Sequence, residues 1–182
     1  MTARIQPAPA VGHRPDIQEI LDASARLTGT PANINLTLAK HPGLFRHFAG
    51  FTGKLLLAGK LPPRDRELLI LRTAWRCECE YEWGQHRQIA QAAGLSVDEI
   101  DRVPDEYDAA WSAADRALFG AVDELVLDHR IAAGTWQQLA RRYDDQQLIE
   151  LVLCVGAYTM VAGLLNSLEV EPDDGLAPFP RR

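Results

Sequence analysis

Basic charge is in short supply in this sequence. Its 182 residues carry 19 Lys and Arg against 25 Asp and Glu, a formal net charge of −6. A chain of that sign repels polyanions, so DNA, RNA and acidic membrane surfaces are poor partners. Cysteine is scarce as well, and three residues in a chain this long make no disulfide framework. The opening Met-Thr-Ala-Arg-Ile-Gln-Pro lacks the apolar stretch of a secretory signal, which makes a cytoplasmic location the expectation. No Gly-rich phosphate loop, Walker motif or Ser nucleophile elbow occurs, and no cofactor is expected. No stretch alternates apolar and polar residues long enough to make a strand. What is present, 47% hydrophobic and 24% charged residues, excludes wholesale disorder and suits one domain with a buried core.

The punctuation along the chain is helical, and the spacing predicts an all-α bundle. Asp16 with Glu19 reads as a capping box opening a helix to about Leu27, closed by Gly29 and Pro31. Asn33 to Lys40 reads as a short helix. Pro42 stands where a helix-starting proline belongs, and its helix runs to about Ala58. Leu61-Pro62-Pro63 is a turn, and Arg64 to Trp75 is apolar on most faces. Ser96 with Glu99 is a second box, and Ser112 starts a helix through Asp115 to about His129. Thr135 with Gln138 is a third box, and Asp144 with Gln147 resembles one. Residues 1–12 and 172–182 are Pro-rich and aperiodic and are expected to be loose tails. A single domain over 13–171 lies between them, with the motif-bearing stretch at 64–93.

Leu151 to Leu168 is an uncharged run near the length that spans a bilayer. It holds Gly156, Tyr158, Asn166 and Ser167, and both its flanks are acidic where a spanning helix carries Lys or Arg on one side. The expectation is a core helix, hydrophobic all round. Sliding the chain by 80 residues sets Leu68 on Leu148, Leu71 on Leu151, Cys79 on Thr159 and His86 on Asn166. A worn internal repeat over 144–170 would give two related helical halves.

Residues that carry chemistry are densest from Glu67 to His86, ELLILRTAWRCECEYEWGQH. Cys79, Glu82 and His86 fall at i, i+3 and i+7, within roughly 60° of one another on a helix. A thiol, a carboxylate and an imidazole on one stripe form a proton-handling set; the alternative is a polar helix face with one buried Cys. On one continuous helix Glu67 would lie roughly 28 Å from His86. A reversal near Arg76-Cys77-Glu78 brings them together, and a Glu beside His raises the imidazole's basicity and fixes its tautomer. The alternative for Glu67 is a first-turn charge favoured by the helix dipole. Weaker candidates for substrate contact are Arg72 and Arg76 as a carboxylate clamp, Tyr81 and Trp83 as pocket walls, and Tyr158 and Asn166 as polar groups in the apolar helix. Cys77, Cys79 and His86 fit no familiar zinc spacing, and no metal is expected.

The segment resembles the carboxymuconolactone decarboxylase and alkylhydroperoxidase D superfamily. The peroxidase branch is marked by Glu, eleven residues, Cys, two residues, Cys, three residues, His. Glu67, Cys79 and His86 match three of those places, and Glu82 stands at the second Cys. The surrounding EYEWGQH, the AAGLS at Ala92 to Ser96 and the GAYTMVAGLLNSL at Gly156 to Leu168 are similar to members that lack the dithiol. The resemblance covers about residues 30–170. It implies an all-α oligomer, a trimer or hexamer of this chain, and catalytic roles for Glu67, Cys79, Glu82 and His86.

Three functions follow as expectations. One is a cofactor-free acid–base enzyme that decarboxylates or isomerises a small oxidised acid or lactone, with His86 as base, Glu67 orienting it and Glu82 as second proton carrier. The second is a thiol-dependent peroxidase or antioxidant protein working through Cys79 with an outside thiol, although Glu82 cannot close the usual disulfide. The third is a non-catalytic oligomeric ligand-binding protein.

Overall fold

The computed structural model describes residues 2–28 and 30–180. Nine helices occupy them: α1 (Pro15–Thr28), α2 (Asn33–Leu38), α3 (Pro42–Ala58), α4 (Pro63–Arg76), α5 (Glu80–Ala92), α6 (Val97–Arg102), α7 (Ala113–Asp128), α8 (Ala133–Leu139) and α9 (Asp145–Leu168). No strand occurs among the described residues, and the fold is all-α.

Local chemistry explains most helix starts. Ser96 and Glu99 form a reciprocal capping box at α6, and Ser112 and Asp115 form one at α7. Before α9 the Gln147 amide donates to Asp144 Oδ1 at 2.9 Å, and the Asp144 amide donates back to Gln147 Oε1 at 3.1 Å. Two expected boxes are not made. Thr135 lies inside α8, where its hydroxyl donates to Glu124 Oε1 at 2.7 Å. Asp16 lies within the first turn of α1 and pairs with Arg14 at 2.6 Å, because Pro15 already takes the opening position. Gly29, expected to close α1, lies outside the described residues.

The chain divides into two compact units rather than one domain. One comprises Met1–Ala58 with Leu164–Gly175. Its core gathers Ile17, Leu21, Ala39 and Phe45, and Ala8 is buried with them. The N-terminal segment is therefore not a loose tail. The Arg4 amide donates to the Leu168 carbonyl at 2.9 Å, the Ala8 amide donates to the Leu36 carbonyl at 3.1 Å, and Arg4 pairs with Glu169.

The other unit comprises Gly59–Gly163 with the residues from Leu176 onward. Leu68, Leu69 and Leu71 of α4 pack with Trp83, Leu118, Phe119 and Leu151 in its core. The C-terminal segment, expected to be loose, is docked here. Phe179 stacks on Trp75 at 5.3 Å between ring centres and meets Trp83 edge-on at 5.8 Å. A Cβ on Gly84 would fall 2.9 Å from Leu176 Cβ, so this glycine is what lets the segment come so close. Two apolar residues within a Pro-rich stretch supply the anchorage that aperiodicity hides.

Only part of α9 is interior. Within Gly59–Gly163 it buries Leu148, Leu151, Cys154, Val155 and Tyr158, but Ile149 is 61% exposed, Leu153 45% and Met160 53%. Ile149, Val152, Leu153, Gly156 and Met160 recur at i, i+3, i+4, i+7 and i+11, so the uncovered residues form one stripe. The helix is thus apolar all round without being buried all round. Nor does the repeat exist as structure: residues 157–159, which the shift of 80 sets on the reversal after α4, lie inside unbroken α9.

Candidate active site

The reversal that the Glu67–His86 pairing requires is made at residues 77–79. Pro63 fixes the start of α4, and Cys77 caps its end. Glu78 then adopts a left-handed φ of 51°, and Cys79 occupies the N-cap of α5. The hairpin lays α5 back along α4 within the second unit. Cys79 is thus just outside the helix that carries Glu82 and His86, yet it remains beside Glu82.

The outcome is a buried dyad. Glu67 Oε2 lies 2.8 Å from His86 Nδ1, with Glu67 fully buried and His86 6% exposed. Arg66 Nε donates to the other oxygen, Oε1, also at 2.8 Å. Burial pushes the Glu67 carboxyl up, but the charge and hydrogen bond of His86, with those of Arg66, outweigh it and hold the group below its ordinary range. An ionised carboxylate only accepts, so Nδ1 must be the donor. In the neutral ring that leaves the lone pair on Nε2, which has no hydrogen-bond partner among the described residues. Tyr158 closes one side, its ring edge-on to the imidazole at 4.9 Å between centres.

Glu82 lies one turn before His86 on α5 and is 3% exposed. Neither carboxyl oxygen has a hydrogen-bond partner among the described residues. Burial drives its pKa well above the ordinary value, with the neighbouring Cys79 thiol opposing weakly. Cys79 itself is pushed up to about 12 by burial and by Glu82, against the pull of the Glu82 and Tyr81 amides at the start of α5. Cys77 is raised for the same two reasons, with the Thr159 hydroxyl opposing. The surroundings of Glu82 are therefore largely uncharged.

The weaker candidates separate. Arg72 makes four guanidinium hydrogen bonds, two to Asp123 and one each to the carbonyls of Val103 and Pro104, and pairs with Glu106 at 2.7 Å. Arg76 also binds Asp123, with Glu106 at 3.7 Å. The expected carboxylate clamp is instead an internal lock between α4, α7 and the segment after α6. Tyr81 is buried on α5, and Trp83 packs with Trp75 and Phe179. Asn166 is exposed and belongs to the unit that does not hold the dyad. A cavity of about 210 Å³ lined by Ala117, Leu139, Arg142 and Tyr143 touches none of the expected site residues.

Three neighbours went unread in the sequence. Arg66 adjoins Glu67, and adjacent helical residues point apart, so only its length lets it reach round. Cys154 and Thr159 look like filler in an apolar helix. The pKa of Cys154 is raised by burial and then by the charge of Glu67, which places it beside the dyad.

The carboxymuconolactone decarboxylase family model matches residues 42–124, a span that contains the hairpin and the dyad. Over that span the chain is similar to the carboxymuconolactone decarboxylase family. Solved structures share the all-α fold at low identity. An "alkylhydroperoxidase AhpD core", an uncharacterized peroxidase-related protein of Ralstonia eutropha JMP134, is 21% identical over 93% of both chains, with a TM-score of 0.80. An uncharacterized peroxidase-related protein of Silicibacter sp. TM1040 is 13% identical, covering 96% of this chain and 95% of its own, with a TM-score of 0.81. The debrominase Bmp8, solved with 2,3,4-tribromopyrrole, is 16% identical, with coverage of 96% and 94% and a TM-score of 0.79. No curated protein matches the chain.

Proposed function

We propose that this protein is a cofactor-free acid–base enzyme that decarboxylates or isomerises a small oxidised acid or lactone. The observation that carries the reading is the buried Glu67–His86 pair, with Nδ1 committed and Nε2 open. Glu67 orients the ring and compensates the imidazolium that forms when Nε2 accepts a substrate proton. Glu82, buried one helical turn away with its pKa raised, is the second acid group of the site. Cys79 lines the site as a thiol.

The competing peroxidase reading requires a thiolate at Cys79. Its place at the start of α5 favours one, but a pKa near 12 leaves almost none at neutral pH, and Glu82 replaces the partner thiol. We also propose that the chain is a homo-oligomer, trimer or hexamer, with the uncovered apolar stripe of α9 as support.

A panel of small lactones and oxo acids, followed for carbon dioxide release and for isomerised product, tests the reading. Turnover is expected to fall about 10²–10⁴-fold in His86→Ala. Unchanged turnover in that variant contradicts the proposal.

A further inference from the structure

A buried carboxyl whose two oxygens both lack partners is an unusual thing for a folded protein to keep. Glu82 is such a group, and it shares a helix face with the open Nε2 of His86. Residues four apart on a helix have Cβ atoms roughly 6 Å apart. That separation suits two adjacent atoms of one small ligand, each touching one side chain.

The charges nearby restrict what that ligand presents. Glu67 is already ionised, and Arg66 is paired with it. Arg72 is paired with Asp123 and Glu106. A second carboxylate brought to this spot would find no uncommitted cation among these groups. An uncharged carbonyl finds a proton donor.

Resting on the acid–base reading above, we propose that Glu82 forms a subsite for the uncharged carbonyl oxygen of the substrate, donating a hydrogen bond to that oxygen while His86 works on the adjacent carbon. His86 Nε2 takes the proton as the C–H bond breaks. The C–H pair becomes the C=C bond of an enolate, the carbonyl π pair moves onto oxygen, and Glu82 keeps its own proton while hydrogen-bonding that oxygen. Return of the proton from Nε2 to another carbon of the enolate completes an isomerisation. A carboxylic acid kept neutral at pH 7 donates in this way where a carboxylate cannot. The substrate class is therefore an enolisable ketone or lactone, and any free carboxylate it bears lies away from Glu82.

Phenols imitate such an enolate, so 4-nitrophenol binding to the whole protein tests the subsite without turnover. Wild type is expected to bind the phenolate, read by its absorbance. Glu82→Ala is expected to weaken binding about tenfold or more, and Glu82→Gln, which still donates, to weaken it less. Infrared difference spectra of wild type against Glu82→Gln should carry the band of a protonated carboxylic acid. Equal affinity in wild type and Glu82→Ala, or a band of an ionised carboxylate only, overturns the proposal. His86→Gln separates the two claims. If that variant keeps turnover while phenol binding still depends on Glu82, the acid–base reading falls and the subsite stands.

Discussion

Two buried polar clusters in the same unit are built on opposite principles. Around Arg72 every side-chain nitrogen is hydrogen-bonded or ion-paired, and Asp123 is gripped by two guanidinium groups. Around Glu82 both oxygens go without. Leaving a buried polar group unmet costs about 1–3 kcal/mol each, so the first cluster serves the fold and the second is held open against it. Buried charge alone does not mark a site, because Arg72 is as buried as Glu67. What distinguishes Glu82 is that both its carboxyl oxygens are unmet beside the Glu67–His86 dyad.

Substitutions on the two sides should therefore fail differently. The largest effect is expected on turnover: Glu67→Gln should lower it about 10²–10⁴-fold with only a modest shift in the thermal midpoint. An equal loss of folding would place Glu67 with the structural cluster. Arg72→Ala should do the reverse, costing about 1–3 kcal/mol in denaturant unfolding by leaving the Val103 and Pro104 carbonyls unmet and Asp123 with Arg76 alone, while the folded fraction keeps its phenol affinity. Gly84→Ala should cost about 1–3 kcal/mol, because the new Cβ collides with Leu176, and should free the C-terminal segment for proteolysis.

Acid should report on the structural cluster in its own way. Burial raises the Asp123 carboxyl, but the hydrogen bonds and charges of Arg76 and Arg72 hold it below its ordinary range. A carboxyl with a depressed folded pKa contributes stability that is complete above its unfolded value and lost as pH falls through the folded one. Unfolding midpoints measured downward from pH 5 should therefore drop in wild type and drop less in Asp123→Asn. The smallest effect should come from Cys79→Ser. Acid–base turnover should stay within a few-fold, whereas a thiol-dependent peroxide activity assayed with dithiothreitol would vanish in that variant.

The legible parts of this molecule were those written in short spacings. The box at Ser96, the helix start at Ser112, the proline starts and the helical class all depend on residues within four positions of one another. The reversal after Arg76 was legible because Glu67 and His86 lie nearly equal distances either side of Cys77. What stayed hidden rests on contacts between distant segments. Asp123, 51 residues from Arg72, is what turns an apparent substrate clamp into a lock. Phe179 and Leu176 anchor a segment with no periodicity to betray them. Thr135 shows the limit of motif reading, since a cap-like pair is made irrelevant when Glu124 claims its hydroxyl.

The dyad itself is tested most directly by nitrogen NMR of His86 in the folded protein. The two ring nitrogens have distinct shifts, and the proton-bearing one identifies itself. The account predicts that the neutral form of the ring carries its proton on Nδ1, and that this preference is lost in Glu67→Gln. A neutral form with its proton on Nε2, or a preference indifferent to Glu67, would contradict it.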